Sequence, residues 1–288
     1  FVLDSVRRSS SGRQFFFHRM VRLWPVYGIS VLLNVALLAI FTSKTFSLQH
    51  ILSALFWVRP WTTFDFIDGS AWVLEILVVF FLVCAVFFPS LKAGREIRLG
   101  KTIFWLALLS SLFFVNNYEY LRVCCPYGVH IAFVISKIFA HMSLAMVGMY
   151  TALAMSRSTH QIYYMVWSGI FVIMWAAWQS FCNASHARCV SVLIAVMLWV
   201  IFARFQPLFS GTKVGVWLKK LADISYSLYV FHVIPGYLVT YALWPYLSYG
   251  ANIIGFLVPL PLAYVLYRFV ERPVYAWACR IRSARLES

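Results

Sequence analysis

The sequence predicts an all-α integral membrane protein, a bundle of about eight transmembrane helices, and three observations carry that prediction. Of the 288 residues, 62% are apolar and only 11% charged, against about 45–50% and roughly 25% in soluble domains. A soluble fold of this length has no interior large enough for so much apolar surface, so lipid must cover the rest. The apolar residues also fall into runs close to the ~20 residues that one bilayer crossing takes. Finally, those runs divide the basic residues very unevenly between the two faces of the membrane.

Taken in order, the first run, Trp24–Thr42, opens behind Arg19 and Arg22, and the second, Trp72–Ser90, stops before Lys92. The third, Thr102–Asn116, follows Lys101 and is short for a crossing. The fourth, Ile131–Met155, ends before Arg157, and the fifth is Ile162–Ser180. The sixth, Arg188–Phe205, is bracketed by Arg188 and Arg204. The seventh, Leu221–Trp244, follows Lys219 and Lys220, and the eighth, Ala251–Val270, is closed by Glu271-Arg272-Pro273, where the proline is expected to stop the helix. The stretch "HILSALFWV" is too short to cross and is read as lying on or dipping into the surface. There is no internal repeat and no Pro/Ser/Gly-rich linker, so 1–288 is read as one helical domain.

Eight crossings put both ends on the same side. Nineteen of the 24 Lys and Arg residues then fall on that side, four (Lys44, Arg59, Arg122, Arg188) on the other, and Lys137 within a span. Positive charge is retained in cytoplasmic loops, so both ends are expected in the cytoplasm and the chain in a plasma (inner) membrane. The same rule accounts for the net charge of +15 without nucleic acid, which needs a contiguous, water-exposed basic patch. Cys124, Cys125, Cys182 and Cys189 fall in or beside outward loops, where a disulfide is expected; Cys84 and Cys279 read as packing residues. No spacing suits a metal, and none is expected.

The polar residues inside this apolar frame are the candidates for function. In "FFFHRMVRLWPVY", Arg19 and Arg22 are three apart and share a helix face. They are either an interfacial anchor, with heads snorkelling to lipid phosphates beside Trp24 and Tyr27, or a pair of guanidinium forks for an anionic ligand. In "LADISYSLYVFH", Ser225, Tyr229 and His232 lie at i, i+4 and i+7 on one face, with Tyr226 beside them. His232 lies about 16 Å past Leu221 at ~1.5 Å per residue, near the bilayer midplane. Such a stripe either faces a wet cavity or only ties helices together. Glu75 enters the second span three residues after Trp72, either in a functional role or simply reaching water. Lys137 and His141 lie four apart in the fourth span. Asn183-Ala184-Ser185 matches a glycosylation acceptor on an outward loop, a pattern short enough to arise by chance.

Three segments in order resemble the membrane-bound acyltransferase-3 family, which O-acylates cell-surface carbohydrates. Arg19-x-x-Arg22-x-x-Pro25-x-Tyr27 is similar to that family's Arg-x-x-Arg…Pro segment, "ISYSLYVFH" to its penultimate-helix signature, and "FVERP" to its closing Glu-x-Pro element. The resemblance runs from Phe1 to about Arg280. It implies acyl transfer, acetyl by expectation, from cytosolic acyl-CoA to hydroxyls of a cell-surface or lipid-linked polysaccharide. Acyl-CoA is then a donor substrate and no tightly bound cofactor is expected; the partners are the lipid bilayer, acyl-CoA and a carbohydrate acceptor, not nucleic acid.

By the same resemblance Arg19 and Arg22 hold the donor phosphates, while Glu75, Ser225, Tyr226, Tyr229, His232 and Glu271 line or brace the cavity. Two departures stand out. The family's Trp-x-Leu-x-x-Glu would place its acid at Leu77, whereas the acid here is Glu75. The family's catalytic histidine sits on a first helix, and "FVL" at Phe1 resembles the residues just after the family's second helix. The sequence is therefore expected to lack two leading helices and the catalytic base, to be inactive alone, and to leave no residue here assigned as that base. The rival readings are a transporter or flippase for a lipid-linked glycan and an inactive membrane scaffold. The acyl group, acceptor sugar, oligomeric state and disulfide connectivity are not fixed by the sequence.

Overall fold

A computed structural model describes residues 2–58, 62, 67–69, 71–156, 161–181, 190, 194, 197–198 and 211–284. Among them the regular elements are all helical, as the sequence predicts. In chain order they are α1 (Val2–Arg8), α2 (Gly12–Thr42), α3 (Leu48–Leu55), α4 (Ala71–Val86), α5 (Phe88–Lys92), α6 (Glu96–Cys124), α7 (Pro126–Ser156) and α8 (Gln161–Phe181). Then come α9 (Lys213–Phe231), α10 (Val233–Leu247), α11 (Tyr249–Leu257), α12 (Pro259–Leu266), a π turn (Tyr267–Glu271) and α13 (Arg272–Ala284). The chain gathers into two compact units, Phe1–Phe15 with Ile76–Ser210 and Phe16–Glu75 with Gly211–Ser288.

Among the described residues, five stretches are long and apolar enough to cross a bilayer: Gly12–Thr42, Glu96–Cys124, Tyr127–Ala154, Ile162–Gln179 and Tyr249–Ala278. The bent pair α9 and α10 is long and apolar enough for a sixth when taken as one broken span, and α4 is a shorter apolar helix. These seven correspond to seven of the eight runs in the sequence; Arg188–Phe205 lies largely outside the described residues. The surface agrees with a lipid solvent. Along α6, Trp105, Leu109 and Phe113 recur every four residues and are each more than half exposed, a stripe that water would penalise and lipid would not.

In the first unit α7 packs against both α6 and α8. α6 has 29 residues, about 44 Å at ~1.5 Å per residue, so it outruns a ~30 Å hydrocarbon core. The short reading Thr102–Asn116 therefore needs correction: the helix continues through charged residues at both ends, because its ladder is backbone and tolerates polar side chains where they meet water. Gly100 is where α6 accepts the buried Tyr150 ring; a Cβ there would strike the Tyr150 hydroxyl. The second run also ends earlier than expected. Pro89 has no N–H for the Ala85 carbonyl, so α4 stops at Val86 and α5 begins at Phe88. Gly12 abuts that carbonyl, and a Cβ at Gly12 would collide with it.

In the second unit "HILSALFWV" forms α3 rather than a crossing. Ser47 caps it by accepting from the His50 N–H at 3.2 Å. At its other end, Tyr27 donates to the Ala54 carbonyl (3.0 Å), which also accepts from the Trp57 N–H (3.1 Å), and Trp24 donates to the Leu55 carbonyl (3.1 Å).

Two expectations about the last spans are overturned. Leu221–Trp244 is not one straight helix: α9 and α10 meet at His232 with a 71° bend. Pro235 is the cause, since it cannot donate to the Phe231 carbonyl and its ring crowds that oxygen, yet it is tolerated in the first turn of a new helix. Nor does Pro273 end the last span. The π turn lets the Arg272 N–H reach the Tyr267 carbonyl five residues back, which makes room for the proline ring, and α13 continues to Ala284. α9 packs on α12 and the π turn, and α10 on α11.

Candidate functional site

Two of the predicted site residues, Arg22 and Glu271, meet in the second unit. The Arg22 guanidinium donates from Nη2 to Glu271 Oε1 at 3.2 Å, and Ser227 Oγ donates to Glu271 Oε2 at 2.8 Å. Tyr226 donates its hydroxyl to the Leu23 carbonyl at 2.6 Å, using the second lone pair of an oxygen that belongs to α2. The Arg22 guanidinium also lies over the Tyr275 ring, 5.5 Å from its centroid. The Glu271 side chain is 3% exposed and that of Arg22 29%. The π turn makes this possible: its extra residue per turn rotates Glu271 out of the α-helical register and into the unit's interior.

Arg19 is buried one turn earlier on α2, at 6% exposure. Snorkelling anchors turn their heads towards the headgroups, whereas Arg19 is enclosed and Arg22 turns onto a buried carboxylate.

About one turn further along α9, Tyr229 and His232 are paired, with ring centroids 5.9 Å apart. His232 Nδ1 lies 2.8 Å from the Tyr229 carbonyl. A carbonyl only accepts, so Nδ1 carries a proton in this contact. The helix break falls on this residue, which removes the ring from the α9 ladder and leaves it half-buried.

The remaining candidates separate. Ser225 is exposed and donates to the Ala222 carbonyl of its own helix at 2.7 Å, so its expected place in the cavity is corrected. The buried serine is Ser227, roughly 200° around the helix from Ser225. Glu75 is 6% exposed in the second turn of α4; it is enclosed and does not reach water, while Leu77, the position the motif comparison favours, is half-buried. In the first unit His141 donates from Nδ1 to the Lys137 carbonyl (2.8 Å), and its Nε2 accepts from Gln179 Nε2 (3.0 Å). Both ring nitrogens are satisfied and tie α7 to α8, a structural histidine. Cys124 and Cys125 are free thiols among the described residues, and Cys182, Cys189 and Asn183 lie outside them.

Residues 1–268 match the model of the acyltransferase-3 family, described as an acyltransferase domain. The chain belongs to the acyltransferase-3 family. No curated protein and no solved structure matches it. Its being a membrane acyltransferase follows at the level of the family. The three segments that carried the resemblance converge in the geometry as well: Arg22 comes from the first, Ser227 from "ISYSLYVFH" and Glu271 from "FVERP". Residues 249 apart in an acyltransferase-3 chain are thus joined at a single carboxylate.

Periodicity and motif order pass over three polar residues. Ser227 escapes them because the face through Ser225, Tyr229 and His232 draws attention to the opposite side of α9. Asn34, a lone amide within the apolar run "VLLNVALLAIF", is fully buried and donates from Nδ2 to Asp68 Oδ2 at 2.9 Å. Its signal is its isolation in a span. Asp68, 5% exposed, sits in a loop sequence with no periodicity and gives no signal. Among the described residues, no group of three or more His, Cys, Asp or Glu could hold a metal.

Proposed function

We propose that this acyltransferase-3 protein transfers an acyl group, acetyl in the first instance, from cytosolic acyl-CoA to a hydroxyl of a cell-surface or lipid-linked polysaccharide. It would do so from a plasma membrane in which both ends of this chain face the cytoplasm, as the basic-residue distribution favours. In this reaction a base takes the hydroxyl proton as the oxygen attacks the thioester carbonyl, the C–S bond breaks, and the base returns that proton to the leaving sulfur, so CoA departs as its thiol. The observation that carries the reading is the convergence of the three family segments on Glu271. Arg22 is held there by a carboxylate and a ring face, with 29% of its side chain accessible, and with Arg19 it supports a positive seat for the donor phosphates. Guanidinium forks suit phosphate geometry where an ammonium does not.

Kinetics with full-length protein test this. Arg22→Ala should raise KM for acyl-CoA roughly tenfold to a hundredfold, as loss of a charge-assisted contact of ~1.5–3 kcal/mol implies. Arg22→Lys should recover only part of that. Unchanged KM in the Ala variant would remove Arg22 from the donor site.

One observation favours a second reading. A crossing broken by 71° at His232 is the kind of discontinuous helix that transporters place at a substrate site, so a glycan passage is the alternative. Acyl-CoA consumption separates the two, since a passage releases no CoA.

A further inference from the structure

We infer that Asn34 and Asp68 form part of a binding site for a neutral, hydroxyl-rich acceptor. The inference rests on the acyl-transfer reading and specifies where the acyl acceptor binds. A carboxylate only accepts hydrogen bonds, so the contact of Asn34 with Asp68 at 2.9 Å fixes the amide: Nδ2 points at the carboxylate and Oδ1 points away from it. Oδ1 is buried and has no hydrogen-bond partner among the described residues. A buried acceptor without a donor is costly to a fold, and in a bilayer interior no bulk water compensates it. Such a group marks a place where a further donor belongs, and the hydroxyl of a bound ligand can supply it.

The chemistry of the pair selects that donor. Asp68 is 5% exposed. The pair therefore presents a carboxylate and an amide carbonyl, both hydrogen-bond acceptors. Hydroxyl protons of a sugar fit two such acceptors. A deprotonated phosphate or carboxylate brings no proton for them, and a metal finds no third ligand among the described residues.

Position supports the assignment. Asn34 lies twelve residues beyond Arg22 on α2, about 18 Å at ~1.5 Å per residue, roughly half a bilayer away. The cationic end suits the phosphates of acyl-CoA, and the extended pantetheine arm can carry a thioester from there towards Asn34. One helix thus holds an anion seat and a hydroxyl seat at the two ends of the donor's reach.

The test uses the full-length protein in proteoliposomes, with acetyl-CoA as donor and a panel of methyl pyranosides as probe acceptors. Asn34→Leu, which keeps volume and loses the amide, and Asp68→Asn, which keeps shape and loses the charge, should each raise KM for the accepted glycoside at least tenfold. KM for acetyl-CoA should stay within twofold of wild type, whereas Arg22→Lys should show the reverse split. Asp68→Asn preserves the hydrogen-bonding shape and keeps the test open if Asn34→Leu does not fold. If both folded variants keep the wild-type glycoside KM, Asn34 Oδ1 is satisfied by water or by the chain and the site is refuted, while the acyl-transfer reading stands. If the wild-type protein acylates no glycoside, the acyl-transfer reading fails and the acceptor site falls with it.

Discussion

Arg22→Ala should destabilise the protein for a reason separate from donor binding, and a double-mutant cycle with Glu271 can show it. Glu271 is 3% exposed, with Arg22 and Ser227 on its two oxygens. Removing one partner of a buried ion pair typically costs ~3–5 kcal/mol, because the other charge is left uncompensated. Arg22 is 29% exposed, so water softens that penalty and ~2–3 kcal/mol is the better expectation. At ~2–4 °C per kcal/mol for a chain of this order of size, the apparent melting temperature in detergent should fall by about 5–10 °C. Glu271→Gln removes the buried charge and leaves Arg22 partly solvated, so its cost should be nearer ~1 kcal/mol. The double variant should recover part of the Arg22→Ala loss, with a coupling of ~1–2 kcal/mol. Thermal unfolding followed by size-exclusion chromatography in one detergent reads all four corners. Strictly additive losses would refute the claim that Arg22 compensates Glu271. In the Glu271→Gln background, Arg22→Ala should still raise KM for acyl-CoA, which separates the clasp from the donor seat.

Three further outcomes are expected. Gly255→Val should destabilise by ~1–3 kcal/mol, because a Cβ at Gly255 would stand 2.7 Å from the Gly236 carbonyl oxygen where α10 and α11 meet; a wild-type melting temperature would refute so close an approach. His141→Phe should lower stability through loss of its bonds to Lys137 and Gln179 without changing KM for acyl-CoA, and a lost turnover at full stability would instead give His141 a chemical role. In sealed cells, a chain keeping Cys124 as its single thiol should react with an impermeant maleimide, and one carrying a single Cys at Ala93 should not. The opposite pattern would reverse the orientation.

Hydropathy made the spans legible, because each crossing must bury about twenty apolar residues whatever its neighbours do. It could not reveal how the last two crossings are built. Pro235 falls within the apolar run Leu221–Trp244 without breaking its hydropathy, yet its missing N–H accompanies a 71° bend at His232. Pro273 reads as a stop, and a single π turn absorbs it. The same turn buries Glu271, so its partnership with Arg22, 249 residues away, depends on a local register change that no helical wheel contains. Motif order pointed to the segments that meet at Glu271, but periodicity singled out Ser225, whereas the serine bonded to that carboxylate is Ser227. The Asn34–Asp68 pair is legible only in three dimensions, since one member is an isolated amide and the other a loop acid.

The most direct test of the central claim is a transfer assay in sealed vesicles carrying the full-length protein. Acetyl-CoA labelled in its acetyl group is supplied on the face that bears Ala93, and a surface glycan on the other. Label should appear in the glycan as an alkali-labile ester, with an equal amount of free CoA thiol on the donor face, and both should fall together in Arg22→Ala. Glycan that crosses the membrane unlabelled, with no CoA released, would contradict acyl transfer and identify the polar column as a passage.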